Sequence, residues 1–354
     1  MGDANNAAGV ESAADADGAA AAFELLGMIS ANWMSQAICV AVELRIADFL
    51  AGGPKSVVDL ARSSECHEGA LNRLMRALAS LAICNELPDG FFELTALGGL
   101  LRRDQSHSLW CSALWWGRYQ SKLWENLLYS VKTGESARKL VTGLDGYGHL
   151  ESDPRVAAVF NGAMVELTRL VAREVSRLHD FSEAAWLVDV GGGYGELLAV
   201  ILADHPQLHG TLLERPHAVE GATLRLAESR LTHRCQVIVG DFFESVPAGA
   251  DRYLLKSVLH NWDDERSELI LANCRRAISQ KGQLVIVERL LPARIGRSRF
   301  ARSAARADLN MLLGFGGRER TEDDLLALLS SAGFRLARIA PTAFDFSVID
   351  AIPG

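Results

Sequence analysis

The sequence lacks three features that define other broad classes of protein. Its six cysteines are scattered, and the closest two, Cys66 and Cys84, are 18 positions apart, so neither a zinc knuckle nor a disulfide framework is legible. Positive charge is not in excess: a net charge of −8 and a pI of 5.6 argue against nucleic acid or an anionic membrane as main partner. No uncharged apolar run reaches membrane-spanning length. These absences make the cytoplasm the expected location.

The first 22 residues differ in composition from the rest of the chain. Residues 1–22 are rich in alanine and acid, with no basic segment ahead of an apolar one. They therefore predict a disordered lead-in and not a signal peptide. The full length of 354 residues exceeds one typical core, so two domains are expected.

The next segment, residues 23–105, is predicted to be mostly helical. Apolar side chains follow helical spacing through residues 23–50, in a pattern that suits packing against a partner chain: Phe23, Leu26, Ile29, Met34, Ile38, Val42, Ile46 and Phe49. A short helix over 59–62, a second over 69–84 and a strand after the Pro88-Asp89-Gly90 turn follow. That order predicts a winged helix.

A winged helix raises the hypothesis of a ligand-sensing DNA-binding regulator. Residues 55–100 carry four basic side chains against six acidic ones. A surface that reads DNA should be positive, so the charge balance opposes this hypothesis.

The rest of the chain predicts an α/β domain preceded by helices. A helical stretch with four tryptophans (Trp110, Trp115, Trp116 and Trp124) and a long helix around 154–179 occupy residues 106–180. Within 181–354, strands alternate with helices: the strands are expected at 186–190, 210–214, 235–239, 251–256, 283–288 and a final pair near 334–350. This alternation predicts a Rossmann-like catalytic domain.

The most informative stretch is residues 187–198, Leu-Val-Asp-Val-Gly-Gly-Gly-Tyr-Gly-Glu-Leu-Leu, where an apolar strand passes through glycines into a helix. Glycines such as Gly191 and Gly193 allow positive φ and close approach of a ligand to the backbone. A dinucleotide fingerprint would need glycine at position 196, but Glu196 stands there. Asp189 would repel a pyrophosphate and attract an ammonium group, so a ligand with an amino-acid tail is favoured.

Two further strand ends add binding groups. Glu214 ends the second strand, 23 positions after Gly191, where a doubly wound sheet places the acid that binds a ribose diol. The third strand is followed by Asp241 and Phe242, an acid and an aromatic ring suited to the edge and face of an adenine.

Together with these features, three later motifs resemble the S-adenosylmethionine-dependent small-molecule O-methyltransferases of the plant caffeate and bacterial polyketide type. The motifs are Leu254-Leu-Lys-Ser-Val-Leu-His-Asn-Trp-Asp-Asp264, Val285-Ile-Val-Glu-Arg-Leu-Leu-Pro292 and Gly316-Gly-Arg-Glu-Arg-Thr321. The similarity runs from about residue 25 to the C-terminus. It implies a class I methyltransferase domain, S-adenosylmethionine as cofactor without a metal, and a homodimer formed through the N-terminal winged-helix domain.

The resemblance also assigns catalytic positions. His260 falls where the family has its general base, Glu288 and Glu319 are the acids that bracket it, and Lys256 hydrogen-bonds the cofactor. The chemistry agrees, because a phenol with a pKa near roughly 10 attacks poorly while protonated and His is the common base near neutral pH. Glu214 departs from the family, which commonly has Asp there.

The acceptor pocket is assigned by matching two further segments to the family, 160–164 and 308–312. The match implies that five residues face the acceptor: Phe160, Asn161, Met164, Asn310 and Met311. Aromatic and methionine side chains fit a flat ring. Asn310 stands where an apolar residue is frequent, which indicates a polar substituent on the acceptor.

These observations predict an O-methyltransferase acting on a hydroxyl of an aromatic or polyketide-like secondary metabolite. An N- or C-methyltransferase, or a relative that no longer transfers methyl groups, is the alternative within the family, because a fold does not fix a reaction.

Overall fold

A computed structural model describes residues 18–144 and 146–354, and these divide into two compact units on either side of the bond between Arg118 and Tyr119. Of the predicted disordered lead-in, residues 1–22, the first 17 lie outside the described residues. Residues 18–22 are helical, so the predicted disorder is wrong there. The reason is local, because the alanines at 19–22 are the strongest helix formers and continue directly into the apolar helix.

The first unit contains short helices, with bounds 18–29 (α1), Asn32–Glu43 (α2), Ile46–Phe49 (α3), Val57–Ser63 (α4), Glu68–Ser80 (α5), Ala96–Gly99 (α6) and Trp110–Leu114 (α7). Three strands, Lys55–Ser56 (β1), Cys84–Glu86 (β2) and Phe91–Leu94 (β3), form an antiparallel sheet in the order β1-β3-β2. The helix predicted over 69–84 ends at Ser80, because Ala82 adopts φ +57° and turns the chain into β2.

The helical stretch Gly18–Glu43 is long and apolar enough to cross a membrane by length and composition, which corrects the expectation that no such stretch exists. Only 17% of its most apolar window is buried in the described structure. Buried core helices of soluble proteins and signal sequences near an N-terminus can have the same length and composition, so this observation is weak evidence for a membrane-spanning helix. The stretch is also broken by a turn at residues 30–31.

The second unit begins with helices and continues as alternating strands and helices. Its helices are Ser121–Trp124 (α8), Leu127–Thr133 (α9), Ala137–Thr142 (α10), Gly148–Ser152 (α11), Pro154–Leu178 (α12), Glu196–Asp204 (α13), Pro216–Glu228 (α14), Asp264–Ala277 (α15), Arg299–Gly314 (α16) and Glu322–Ser331 (α17). Its strands are Trp186–Val190 (β4), His209–Glu214 (β5), Cys235–Val239 (β6), Arg252–Lys256 (β7), Gln283–Glu288 (β8), Leu290–Leu291 (β9), Arg320–Thr321 (β10), Phe334–Pro341 (β11) and Ser347–Pro353 (β12).

Seven of these strands form one sheet in the order β11-β12-β8-β7-β4-β5-β6. The four pairings from β6 to β8 are parallel, and β12 is antiparallel to both β8 and β11. Strand β4 lies between β5 and β7, so the order reverses there. In open α/β sheets ligands bind at the carboxyl ends of strands beside such a reversal. The predicted Rossmann-like fold is confirmed.

Successive side chains of the central strands enter two different cores, one on each face of the sheet. Leu187, Leu212 and Val285 lie in one buried cluster, whereas their neighbours Val188, Leu213 and Ile286 lie in the other. This is the period of two that a strand covered on both faces requires. The rigid sheet therefore fixes the positions of the loops at its carboxyl edge.

Candidate active site

The turn between β4 and α13 takes a form that depends on its glycines. Gly191, Gly193 and Gly195 have φ of +73°, +61° and +71°. At Gly192 an added Cβ would lie 2.2 Å from Asp189 Oδ2, so even alanine would clash. At Gly193 an added Cβ would have open space around it, with only Asn161 Oδ1 as near as 4.0 Å. The turn thus presents bare backbone to a space that a ligand can enter.

Asp189 is the most unusual group beneath this turn. Its carboxylate is 1% exposed, and neither oxygen has a hydrogen-bond partner among the described residues. Burial raises the pKa of Asp189 to about 7, although Lys256 opposes the rise. An unpaired buried carboxylate is costly unless a cation or donor satisfies it, so the site fits a ligand with an ammonium group.

Glu214 and Lys256, both half-buried, complete this group of charges. Burial, with Asp189 nearby, raises the pKa of Glu214 to about 8. Burial and the Arg289 cation lower the pKa of Lys256 to about 8, and its Nζ lies 5.2 Å from the Phe346 ring centroid. Strongly shifted groups clustered in one cleft are typical of a functional site.

Asp241 and Phe242 follow β6 on the other side of the turn. The Phe242 ring would contact a Cβ on Gly191 at 3.2 Å, so the ring lies directly against the glycine turn. Asp241 Oδ1 accepts from the Phe243 N–H at 2.9 Å, and Oδ2 accepts from Arg215 Nη1 at 2.5 Å. Each Asp241 oxygen thus accepts one hydrogen bond and keeps a second lone pair for a further donor.

His260 is buried on a short turn that follows β7, at 8% exposure. Its Nδ1 lies 3.1 Å from Glu319 Oε1 and 3.5 Å from Glu288 Oε2. Burial opposes protonation of the imidazole, but the two carboxylates outweigh it and raise the pKa of His260. Both acids contact the same ring nitrogen, and no described residue hydrogen-bonds Nε2. The imidazole of His260 therefore has Nδ1 bound by carboxylates and Nε2 available to a ligand.

The two acids differ in what else they hold. Glu288 Oε1 accepts from the backbone N–H groups of Val258 and Leu259, each at 3.0 Å. Burial and the neighbouring Glu319 raise the pKa of Glu288. The Glu319 backbone N–H donates to Asp308 Oδ1 at 2.9 Å. His260, Glu288 and Glu319 also offer ligand atoms within 4.8 Å of one another, a grouping that could hold a metal ion.

The residues expected to face the acceptor lie on α12 and α16. Phe160, Asn310 and Met311 are buried, and Met164 follows Phe160 by one turn of α12. Asn310 Oδ1 accepts from Gln120 Nε2 at 2.8 Å. Asn161 lies beside the glycine turn, and its buried Nδ2 has no partner among the described residues. Asn161 therefore borders the same space as Gly193.

Four residues near the site were not anticipated from the sequence: Gln120, Tyr147, Asp308 and Arg320. The Tyr147 ring packs 4.7 Å from Phe315 and 6.1 Å from both Phe160 and Trp262. Arg320 belongs to the same six-residue motif as Glu319, and Asp308 begins the segment 308–312 that was matched to the family, so both carried a sequence signal. Gln120 and Tyr147 lie in segments without a recognisable pattern.

Comparisons with known proteins identify the family of the chain. Residues 124–335 match the O-methyltransferase domain family, and residues 26–104 match the O-methyltransferase dimerisation domain. Phenazine O-methyltransferase PhzM of Lysobacter antibioticus is 40% identical over 329 residues, which cover 93% of this chain and 95% of that protein.

Two solved structures show the same architecture. The crystal structure of LaPhzM has a TM-score of 0.90 at 39% identity, covering 94% of this chain and 99% of that one. The O-methyltransferase NcsB1 from neocarzinostatin biosynthesis has a TM-score of 0.77 at 30% identity, covering 90% and 96%. NcsB1 was solved with S-adenosylmethionine and 2-hydroxy-5-methyl naphthoic acid bound. The chain therefore belongs to the O-methyltransferase family and is an S-adenosylmethionine-dependent methyltransferase with an N-terminal dimerisation domain.

Proposed function

We propose that this methyltransferase acts on a hydroxyl of an aromatic or polyketide-like secondary metabolite and that His260 is the general base. The observation that carries the proposal is that the two imidazole nitrogens have different surroundings. Nδ1 contacts Glu319 and Glu288, whereas no described residue hydrogen-bonds Nε2. A carboxylate on Nδ1 fixes the tautomer in which Nε2 is the acceptor.

The charged groups at the glycine turn fit the cofactor. Asp189 has two unsatisfied oxygens for an ammonium group, Gly193 leaves room for a ligand, and Asn161 offers an unpaired amide beside it. Glu214 would hold a ribose diol, Asp241 and Phe242 an adenine, and Lys256 a further cofactor oxygen. When bound, S-adenosylmethionine supplies an electrophilic methyl group on a sulfonium.

The protein's own contribution is to position the acceptor and remove its proton. Phe160, Met164 and Met311 form apolar walls for a flat ring, and Asn310 offers an amide to a polar substituent. His260 Nε2 takes the hydroxyl proton, and the resulting imidazolium is stabilised by Glu319 and Glu288. Positioning and proton removal together account for the rate enhancement.

Assembly and location complete the proposal. Several large apolar side chains of residues 18–34 are exposed in the single chain, and the match to a dimerisation domain supports a homodimer that covers them. All six cysteines are free thiols, as expected of a protein in the reducing cytoplasm. We assign no nucleic-acid or membrane partner.

The reaction is tested by incubating the full-length dimer with labelled S-adenosylmethionine and a panel of hydroxylated phenazines, naphthoates, quinones and polyketides. Label should enter a hydroxyl of at least one acceptor, with mass spectrometry and NMR locating the methyl group on oxygen. Transfer to nitrogen or carbon only would contradict the O-methylation proposal.

A parallel arm addresses the metal-like grouping of His260, Glu288 and Glu319. We expect the same turnover after dialysis against a chelator, because the mechanism requires only an imidazole and two carboxylates. Turnover that is lost with the chelator and restored by one divalent cation would assign these residues to a metal instead.

A further inference from the structure

The local sequence alone does not determine the conformation of the turn that contains His260. Ser257, just before it, adopts φ +56°, which a residue with a side chain rarely takes. The helical turn itself spans only three residues, Leu259–Asn261. A segment of this kind keeps one conformation only when groups around it fix its backbone.

The N–H groups at the start of the turn are held by Glu288. Its Oε1 accepts from Val258 and Leu259 at 3.0 Å each and from His260 at 3.4 Å. This contact fixes one end of the turn and leaves the carbonyl groups on either side of the histidine to be held by something else.

Arg320 holds those carbonyl groups. Its Nη1 donates to Leu259 O at 3.0 Å and its Nη2 donates to Trp262 O at 3.0 Å, so the two bonds lie on both sides of His260. Nη2 also donates to Ser267 Oγ at 2.9 Å. Arg320 is 5% exposed, so these bonds form away from competing water.

The ion pair that Arg320 makes is less important than these bonds. Arg320 contacts Asp264 Oδ1 at 2.8 Å, but the Asp264 side chain is 54% exposed. Exposed pairs contribute little. Arg318 contacts the other oxygen of the same Asp264 at 2.9 Å, and its side-chain hydrogen bonds within the described part of the chain go to Asp264 and Asp324 and not to the turn.

The backbone of the same motif packs against the turn as well. A Cβ on Gly317 would lie 2.1 Å from His260 O and 2.4 Å from the carbonyl carbon of Asn261. Gly317, Glu319 and Arg320 therefore contact the backbone, the imidazole and the flanking carbonyl groups of one short turn.

We propose that Arg320 is a positioning residue for His260: by bridging Leu259 O and Trp262 O it keeps Nδ1 on Glu319 and aims Nε2 at the acceptor. The inference rests on the proposed role of His260 as base. A planar guanidinium can reach both carbonyl groups at once, whereas a lysine ammonium is a single point donor on a flexible stem.

The test compares Arg320→Lys and Arg320→Met with Arg318→Met, which removes the partner of the same Asp264 but leaves the turn untouched. Three quantities are measured for the full-length dimer: kcat with a weakly acidic and a strongly acidic phenol, affinity for S-adenosylhomocysteine, and the NMR signal of the His260 Nδ1 proton. His260→Gln identifies that signal by its loss.

We expect Arg320→Met to lower kcat about 10–100-fold with the weakly acidic phenol, and Arg320→Lys to lower it less. The loss should shrink with the strongly acidic phenol, which needs no base. The Nδ1 proton signal should weaken or disappear, while affinity for S-adenosylhomocysteine stays within about threefold of the wild type. Arg318→Met should match the wild type in all three measurements.

Three outcomes would overturn the proposal. In the first, His260→Gln slows the reaction but both Arg320 variants keep wild-type kcat and the Nδ1 signal, so the base assignment survives and the positioning role fails. In the second, both Arg320 variants lose kcat equally with the two phenols, which indicates general loss of structure. If His260→Gln itself leaves kcat unchanged, the proposed base fails and the positioning role with it.

Discussion

The Nδ1 of His260 donates to the Glu319 carboxylate across 3.1 Å, and the Glu319 side chain is fully buried. The Glu319 Oε1 atom makes this contact and Oε2 has no hydrogen-bond partner among the described residues, so this carboxylate acts mainly on the imidazole. Glu288 divides its contacts between the imidazole and the backbone of the turn. The two acids should therefore respond differently to mutation.

We predict that Glu319→Gln lowers kcat with a weakly acidic phenol by about 10–100-fold, because the neutral amide no longer stabilises the imidazolium. Glu288→Gln should be milder, since its amide oxygen can still accept from Val258 and Leu259. Steady-state kinetics check this, with the exposed Glu322→Gln as control. A larger loss for Glu288→Gln in a folded protein would contradict the assignment.

The glycine turn should be essential for cofactor binding. Gly193→Val would put a branched side chain into the ligand space at a positive φ, so calorimetry with S-adenosylhomocysteine should show binding abolished. Gly134→Val is the matched control, because Gly134 also has a positive φ, +74°, and open space around it. Normal affinity in Gly193→Val would mean that the turn is structural, and preferential binding of NAD by the wild type would contradict the assigned cofactor site.

The buried acids predict how stability depends on pH. In the folded protein the pKa values of Asp189 and Glu214 are raised to about 7 and about 8, so both bind protons that the unfolded chain releases near pH 4. Their contribution is present below pH 4 and is lost as pH rises through 8, so the free energy of unfolding falls over that range.

Urea unfolding of the ligand-free protein at pH 5 and pH 8.5 measures this decline. Asp189→Asn should reduce it by about 2–3 kcal/mol, because between pH 5 and about 7 only the folded state holds this proton and each pH unit contributes about 1.4 kcal/mol. The exposed Asp323→Asn should leave it unchanged. An unaltered decline in Asp189→Asn would show that Asp189 is ionised in the folded protein throughout.

The exposed apolar side chains on helices α1 and α2 predict which substitutions should disrupt the dimer. Phe23 and Trp33 are 80% and 73% exposed in the single chain, whereas Cys39 and Val42 are buried within the first unit. The double substitution Phe23→Glu/Trp33→Glu should therefore give monomeric or aggregated, inactive protein without removing core residues. Light scattering and activity check this, with Val58→Glu as control. A monomeric double variant with full activity would contradict the dimer.

Much of the fold was predictable because it depends on local pattern. The strand from Trp186 to Val190 and the three glycines that follow it are predictable from a few consecutive residues. His260, Glu288 and Glu319 each lie within a recognisable motif. The disordered lead-in was wrong at residues 18–22, where a run of alanines is ambiguous between disorder and helix.

Contacts between distant segments were not predictable. Gln120 and Asn310 are 190 positions apart, and Asp308 reaches the backbone of Glu319 only because the chain turns back after α16. That both acids contact the same nitrogen of His260 depends on side-chain geometry that spacing does not encode. Arg215 likewise engages Asp241 from a helix terminus whose sequence gave no indication of the ion pair.

The most direct test of the account is the turnover of His260→Gln across a series of phenolic acceptors of increasing acidity. Glutamine keeps bulk and some hydrogen bonding but cannot take the proton, so kcat with a weakly acidic phenol should fall about 10²–10⁴-fold. The deficit should disappear progressively as the phenol becomes ionised, while affinity for S-adenosylhomocysteine stays constant. Wild-type turnover of a weakly acidic phenol by His260→Gln would contradict the account.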